Sequence, residues 1–191
     1  MATQTSELLA AAALRTVAVV RAIADDQLDL PTPCRDYAVR DLLNHLFQVV
    51  VNFQALAAKR AVEWTDKPDH LADGWRDRFE TETRWLVDAW SDPSSLQGVS
   101  AGMGLPQETV GGMALLDLTV HGWDLATATG QPYQPAPGVT AALHGLVERL
   151  GPQARKMGVF ADPVPASPEL SELERLIALT GRDPARAVNP G

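Results

Sequence analysis

The chain has a single cysteine, Cys34, in 191 residues. No disulfide can form within it, and a reducing cytoplasm is the simplest compartment. Lysine is nearly missing as well: 3 Lys stand beside 13 Arg, and 24 acidic residues bring the formal net charge to −8. No basic block offsets that charge, which argues against nucleic acid or an anionic membrane as partner. Long uninterrupted apolar runs are also lacking. Residues 8–24 come nearest, but Arg15 and Arg21 break the run, Glu7 precedes it and acids follow. That pattern is neither a signal peptide nor a membrane span. There is no internal repeat and no G-x-S-x-G, C-x-x-C or H-E-x-x-H motif. Gly102-Met103-Gly104 lacks the flanking strand and the following Lys-Ser/Thr of a phosphate loop.

What is present is helical periodicity around an ordinary apolar share of 46%. Residues 6–24 carry a stripe of Leu8, Ala12, Thr16, Val19 and Ile23. Pro31 and Pro33 then force a loop. A second helix is expected over 39–60, with Leu42, Leu46, Val49, Val50, Phe53 and Leu56 inward and Asp36 as its cap. A third is expected over 70–90 with Trp75, Phe79, Leu86 and Trp90 on one face, and His70 solvated at its start. Residues 91–106 read as a crossover loop with room for a short strand. A fifth helix is expected over 139–150, with His144 and Glu148 on its exposed side. A last one should be capped by Ser167 with Pro168 at its first position. The expectation is a single all-α domain over 1–191: an antiparallel four-helix bundle at about 6–130 and shorter C-terminal helices over about 131–191.

The fourth helix, about 107–129, is apolar nearly all round, the pattern of a buried helix. Charged groups on it must be paired, neutralised or bound to metal. Asp117 and His121 stand four apart, so their side chains meet, and Asp124 shares their face. Together with His45, at the edge of the second helix's stripe, they offer two imidazoles and one carboxylate from facing helices, a set that leaves metal positions open. On spacing alone, an Asp117–His121 ion pair with His45 elsewhere is the simpler reading. Asp124 serves either as an outer partner of the site or as a helix-packing hydrogen bond. Asn52, below His45, is a further candidate, and Cys34 reads as a small half-buried hydrophobe.

Three stretches carry a resemblance. Thr32-Pro33-Cys34 through Val39-Arg40-Asp41-Leu42-Leu43-Asn44-His45-Leu46 resembles the opening motif of the actinobacterial metal-binding DinB-like proteins. These are relatives of the N-terminal domain of mycothiol-dependent maleylpyruvate isomerase. Asp117-x-x-x-His121-Gly122-Trp123-Asp124-Leu125-Ala126 is similar to that family's second signature, and Leu179-Thr180-Gly181-Arg182-Asp183-Pro184 to its C-terminal one. The resemblance implies a DinB-type bundle and one divalent ion, zinc or nickel, on His45, Asp117 and His121. It further implies mycothiol or a similar low-molecular-weight thiol as cosubstrate, with an electrophilic small molecule beside it. Asp117 stands where the isomerase has a Glu, and isomerase activity itself is not carried over. The expected function is thiol-dependent transferase or isomerase chemistry. The alternatives are a metal hydrolase using bound water and a metal-binding or stress-response protein without turnover. Whether the protein is an enzyme stays open, and a homodimer is compatible with the sequence.

Overall fold

The structure, a computed structural model, describes residues 3–35, 37–65 and 68–185. Its α-helices are α1 (Gln4–Ala22), α2 (Val39–Ala57), α3 (Trp75–Ser91), α4 (Gln107–Ala128), α5 (Val139–Lys156) and α6 (Glu172–Leu179). Among the described residues there is no strand: residues 91–106 contain a 3-10 turn, Pro93–Leu96, and the isolated bridge Val99–Pro106. Among the described residues no helix is long and apolar enough to cross a membrane.

Local chemistry explains where the helices begin and end. α1 starts early because Thr3 and Ser6 cap it reciprocally: Thr3 Oγ1 accepts from Ser6 N at 3.1 Å, and Ser6 Oγ accepts from Thr3 N at 3.0 Å. α2 starts at Val39 with half a box, the Ala38 N–H donating to Asp41 Oδ2 at 3.0 Å. The expected cap, Asp36, lies outside the described residues. α3 begins at Trp75 rather than at residue 70, because Gly74 turns the chain at a left-handed φ of 76°. His70 is therefore in the preceding loop and is only partly exposed. Its backbone N–H donates to Asn44 Oδ1 and its ring stacks on Phe47 with centroids 5.0 Å apart. α5 runs past residue 150 to Lys156, with Pro152 tolerated on its exposed side. His144 is only partly exposed, with Nε2 3.1 Å from Glu172 O, while Glu148 is exposed as expected. Ser171, not Ser167, caps the last helix: Ser171 Oγ accepts from Glu174 N, and Glu174 Oε2 accepts from Ser171 N at 2.7 Å.

α1 to α4 form the bundle. α1 lies against α3 and α4, and α2 against the same two, so α1 and α2 face each other across a diagonal. α1 and α3 are antiparallel: the Thr3 hydroxyl donates to Trp90 O at one end, and Arg21 grips Asp77 and Glu80 at the other. α2 and α4 are antiparallel too, tied at one end by buried Gln107, whose Nε2 donates to Leu56 O at 2.9 Å. The remaining neighbours run parallel. On α1 and α4, Thr5 meets Gly111 and Thr16 meets Gly122. On α2 and α3, Phe47 meets Phe79, and Trp90 Nε1 donates to Phe53 O further along. Parallel neighbours need a long crossover, supplied by residues 58–74. Trp75, Phe79 and Trp90 are buried, as their stripe implies.

The antiparallel α2–α4 pair positions the candidate site, because it sets the first half of α2 against the second half of α4. α4 can sit so deep because its small residues admit neighbours. A Cβ at Gly122 would lie 2.7 Å from Thr16 Oγ1 and 3.0 Å from the Tyr133 ring. Thr16 is held in place by its own bond to Leu118 O at 2.9 Å. Gly122→Ala is therefore expected to push α1 from α4 and to destabilise the protein by about 1–3 kcal/mol. Urea unfolding measures this; an unchanged midpoint would remove the α1–α4 contact from the account.

Candidate metal centre

The cluster is built by α2, α4, the loop before α2 and the segment after α6. His45 comes from the second turn of α2, whose apolar stripe packs it inward. Asp117, His121 and Asp124 come from successive turns of one face of α4. The rings of His45 and His121 meet edge to face with centroids 5.0 Å apart. His121 Nε2 lies 3.8 Å from Asp117 Oδ1. One ligand atom from each of His45, Asp117 and His121 falls within 4.8 Å of the others. The three candidates that the residues suggested are thus brought together in space.

Burial sets the chemistry of each group. His45 is pushed down to about 4 by burial first, then by the neighbouring His121 and Arg182 charges. It is a neutral imidazole at neutral pH, with a lone pair to offer. Asp117 keeps 31% of its side-chain surface open, yet the protein packed about it pushes its carboxyl up, opposed by His121 and Arg182. A neutral His45 beside an under-stabilised Asp117 carboxylate leaves room for positive charge, which is what a divalent cation would bring. The donor set of two nitrogens and one oxygen suits zinc or nickel better than magnesium or calcium, which favour oxygen.

Asp124 has both roles weighed for it, packing and orientation. It is 0% exposed, and its Oδ2 lies 3.0 Å from His121 Nδ1. Burial alone would raise its carboxyl; the charge and hydrogen bonds of Arg182, with His121, more than offset this and hold it below the usual range. Arg182 donates through Nε to Asp124 Oδ1 at 2.7 Å and through Nη2 to Oδ2 at 2.8 Å. Arg182 had no role in the sequence reading. The only signal was its place in Leu179-Thr180-Gly181-Arg182-Asp183-Pro184, and nothing in that stretch says which helix it reaches. Asn52 stands apart from the cluster: it is two turns beyond His45, with Nδ2 donating to Glu63 O at 3.0 Å. Tyr37 does reach the cluster, its ring 5.7 Å from that of His45.

Cys34 is half-buried, and it sits beside the centre rather than apart from it. Its Sγ and ligand atoms of His121 and Asp124 lie within 4.8 Å of one another. Burial pushes the thiol up to about 11, with Asp124 and Asp117 adding to the rise and Arg182 opposing it. Two clefts of the molecule lie elsewhere: one beside Thr5, Gly112 and Leu146, the other beside Arg15, Val19 and Tyr133. Neither is lined by His45, Asp117 or His121, and within the cluster His45 and Asp117 are both partly exposed.

An all-helical bundle with this cluster between facing helices defines a DinB-like domain. The chain belongs to the family described as the mycothiol maleylpyruvate isomerase N-terminal domain, which matches residues 9–126. Two curated relatives, both from Mycobacterium tuberculosis, are named "Uncharacterized protein Rv0738" (strain H37Rv) and "Uncharacterized protein MT0763" (strain CDC 1551). Each is 33% identical over 175 residues, covering 86% of this chain and 90% of its own length. No solved structure matches the chain significantly.

The raised thiol has a measurable consequence. An ordinary cysteine titrates near 8.5. At pH 7.5 a thiol titrating at about 11 holds roughly 300-fold less thiolate, so Cys34 is expected to alkylate at least two orders of magnitude more slowly than a free cysteine. The rate should climb about tenfold per pH unit up to about 11. Iodoacetamide kinetics across pH 7–10 read this, and a plateau near pH 9 would show an open, unperturbed thiol.

Proposed function

We propose that the protein binds one divalent ion, zinc or nickel, through His45, Asp117 and His121, and uses it in thiol-dependent transferase or isomerase chemistry with mycothiol or a similar thiol as cosubstrate. The observation that carries this reading is the convergence of three ligand atoms from facing helices within 4.8 Å. Membership of a family described by its mycothiol-dependent isomerase supports the thiol. When bound, such an ion deprotonates a coordinated thiol, whose free form titrates near 8.5, and so supplies a nucleophile at neutral pH.

The chain's own groups have separate tasks in this reading. His45 offers a neutral ring because its burial keeps protons off it. His121 turns Nε2 towards Asp117 while Nδ1 stays on Asp124. Asp117 balances part of the ion's charge and leaves the site open to small molecules on its exposed side. Cys34, held protonated, does not compete with the cosubstrate as a thiolate. The substrate is a small electrophile. The whole chain acts as one unit, because Arg182 of the last segment closes on α4.

Metal analysis tests the ligands. Wild-type protein is expected to hold one zinc or nickel per chain, and His45→Ala, His121→Ala and Asp117→Ala to lose tight binding. His70→Ala and His144→Ala should keep it. Full metal retention in His45→Ala would take α2 out of the site. The thiol is tested on cobalt-loaded protein, where millimolar mycothiol should produce a sulfur-to-cobalt charge-transfer band and glutathione serves as control. No spectral change would favour a hydrolase using bound water, or a metal-binding protein without turnover.

A further inference from the structure

The most heavily bonded group near the cluster is not one of its three candidate ligands. Asp124, fully buried, is gripped on both oxygens by Arg182, and the oxygen Oδ2 is shared with His121 Nδ1. A guanidinium fork on a carboxylate fixes the plane of the carboxylate as well as its position. The fork is itself held. Arg182 Nη1 donates to Thr180 Oγ1 at 3.1 Å, and the Thr180 hydroxyl donates to Ile177 O at 2.7 Å. Between them Gly181 turns at φ 85°, so close to Ala161 that a Cβ there would lie 2.6 Å from the Ala161 Cβ. The segment after α6 is thereby shaped to deliver one side chain into the bundle.

We propose that Arg182 is a positioning residue for the metal centre, acting through Asp124 to keep the His121 proton on Nδ1 and the Nε2 lone pair turned towards Asp117 and His45. The inference rests on the metal reading above and extends it to a residue outside the span that the family match covers. An ionised carboxylate only accepts, so the imidazole nitrogen facing Asp124 must be the donor. An imidazole that ligates through Nε2 keeps its one N–H on Nδ1, the nitrogen that faces Asp124. A fork that merely fastened the C-terminal segment to α4 would not need its carboxylate shared with a candidate ligand. Arg182 is 9% exposed and His121 8%, so bulk water does not stand in for either bond. Without the guanidinium, nothing else described holds the plane of Asp124, and the His121 ring loses its fixed partner.

The test reads the tautomer and the metal separately. Imidazole nitrogen NMR on the metal-free protein, at a pH high enough for a single ring N–H, should show His121 as the Nδ1–H tautomer in wild type and a mixture in Arg182→Met. Zinc affinity, measured against a competing chelator, should fall about 10- to 100-fold in Arg182→Met, the usual cost of losing an outer partner of a ligand. Arg182→Lys keeps the charge but cannot hold both oxygens, so it should fold and still bind zinc more weakly than wild type. If Arg182→Met does not fold by circular dichroism, Arg182→Lys carries the test alone. A folded variant with the wild-type tautomer and wild-type zinc affinity overturns the proposal. Wild-type protein that binds no zinc would sink the metal reading instead, and the tautomer in the metal-free variants would then decide the role of Arg182.

Discussion

The structure depends on the fact that α4 has almost no face left for water. Every residue from Leu118 to Ala126 on it is buried. A helix placed like that can carry ionisable groups only if each is answered from elsewhere in the chain. Asp124 is answered by Arg182, and His121 by Asp124. Asp117 has a weaker answer: His121 at 3.8 Å and an opening to solvent. The contrast is between a carboxylate held on both oxygens and one, seven residues away, that has a single distant partner among residues that could hold a metal ion.

Much of this could be read from residues alone, for a specific reason. α4 shows its burial through composition: apolar residues on all sides leave Asp117, His121 and Asp124 as exceptions, and exceptions on a buried helix invite a search for partners. The stripe of Trp75, Phe79, Leu86 and Trp90 shows the face of α3 in the same way. Helix ends were harder. Gly74 and Ser171 decide where α3 and α6 begin, but His70 and Ser167-Pro168 present equally good local signals. What chooses between them is tertiary: His70 stacks on Phe47 and its backbone is taken by Asn44, so it is spent on α2 before α3 starts.

An antiparallel bundle was expected and α1–α3 and α2–α4 are antiparallel, but which neighbours run parallel, and which distant residues pair, was not legible. Periodicity says which face of a helix is inward and is silent on which neighbour it meets. That α1 runs parallel to α4, and α2 to α3, follows from where the crossover at 58–74 goes, and that loop has no periodic signal. Arg182 is the same problem in one residue. An arginine after a helix normally reads as a solvated end, whereas here Gly181 packs close on Ala161 and Arg182 is bonded to Asp124 and Thr180. Cys34 was read correctly as half-buried. What its burial leads to, a thiol held protonated next to a site that would handle thiols, needed its neighbours His121, Asp124 and Arg182 in view.

The Asp124–Arg182 bond joins residues 58 positions apart, and a ribosome makes a chain in order. At about 5–20 residues per second, Arg182 is synthesised roughly 3–12 s after Asp124. Throughout that interval α1 to α4 are all made, yet closing them would bury a carboxylate whose counter-charge does not yet exist. Until the arginine arrives, Asp124 is accommodated only by taking up a proton, by reaching water or by an incompletely docked α4. Translation itself thus sets the earliest moment at which the fork can form, and with it the moment at which Asp124 gains its fixed partner.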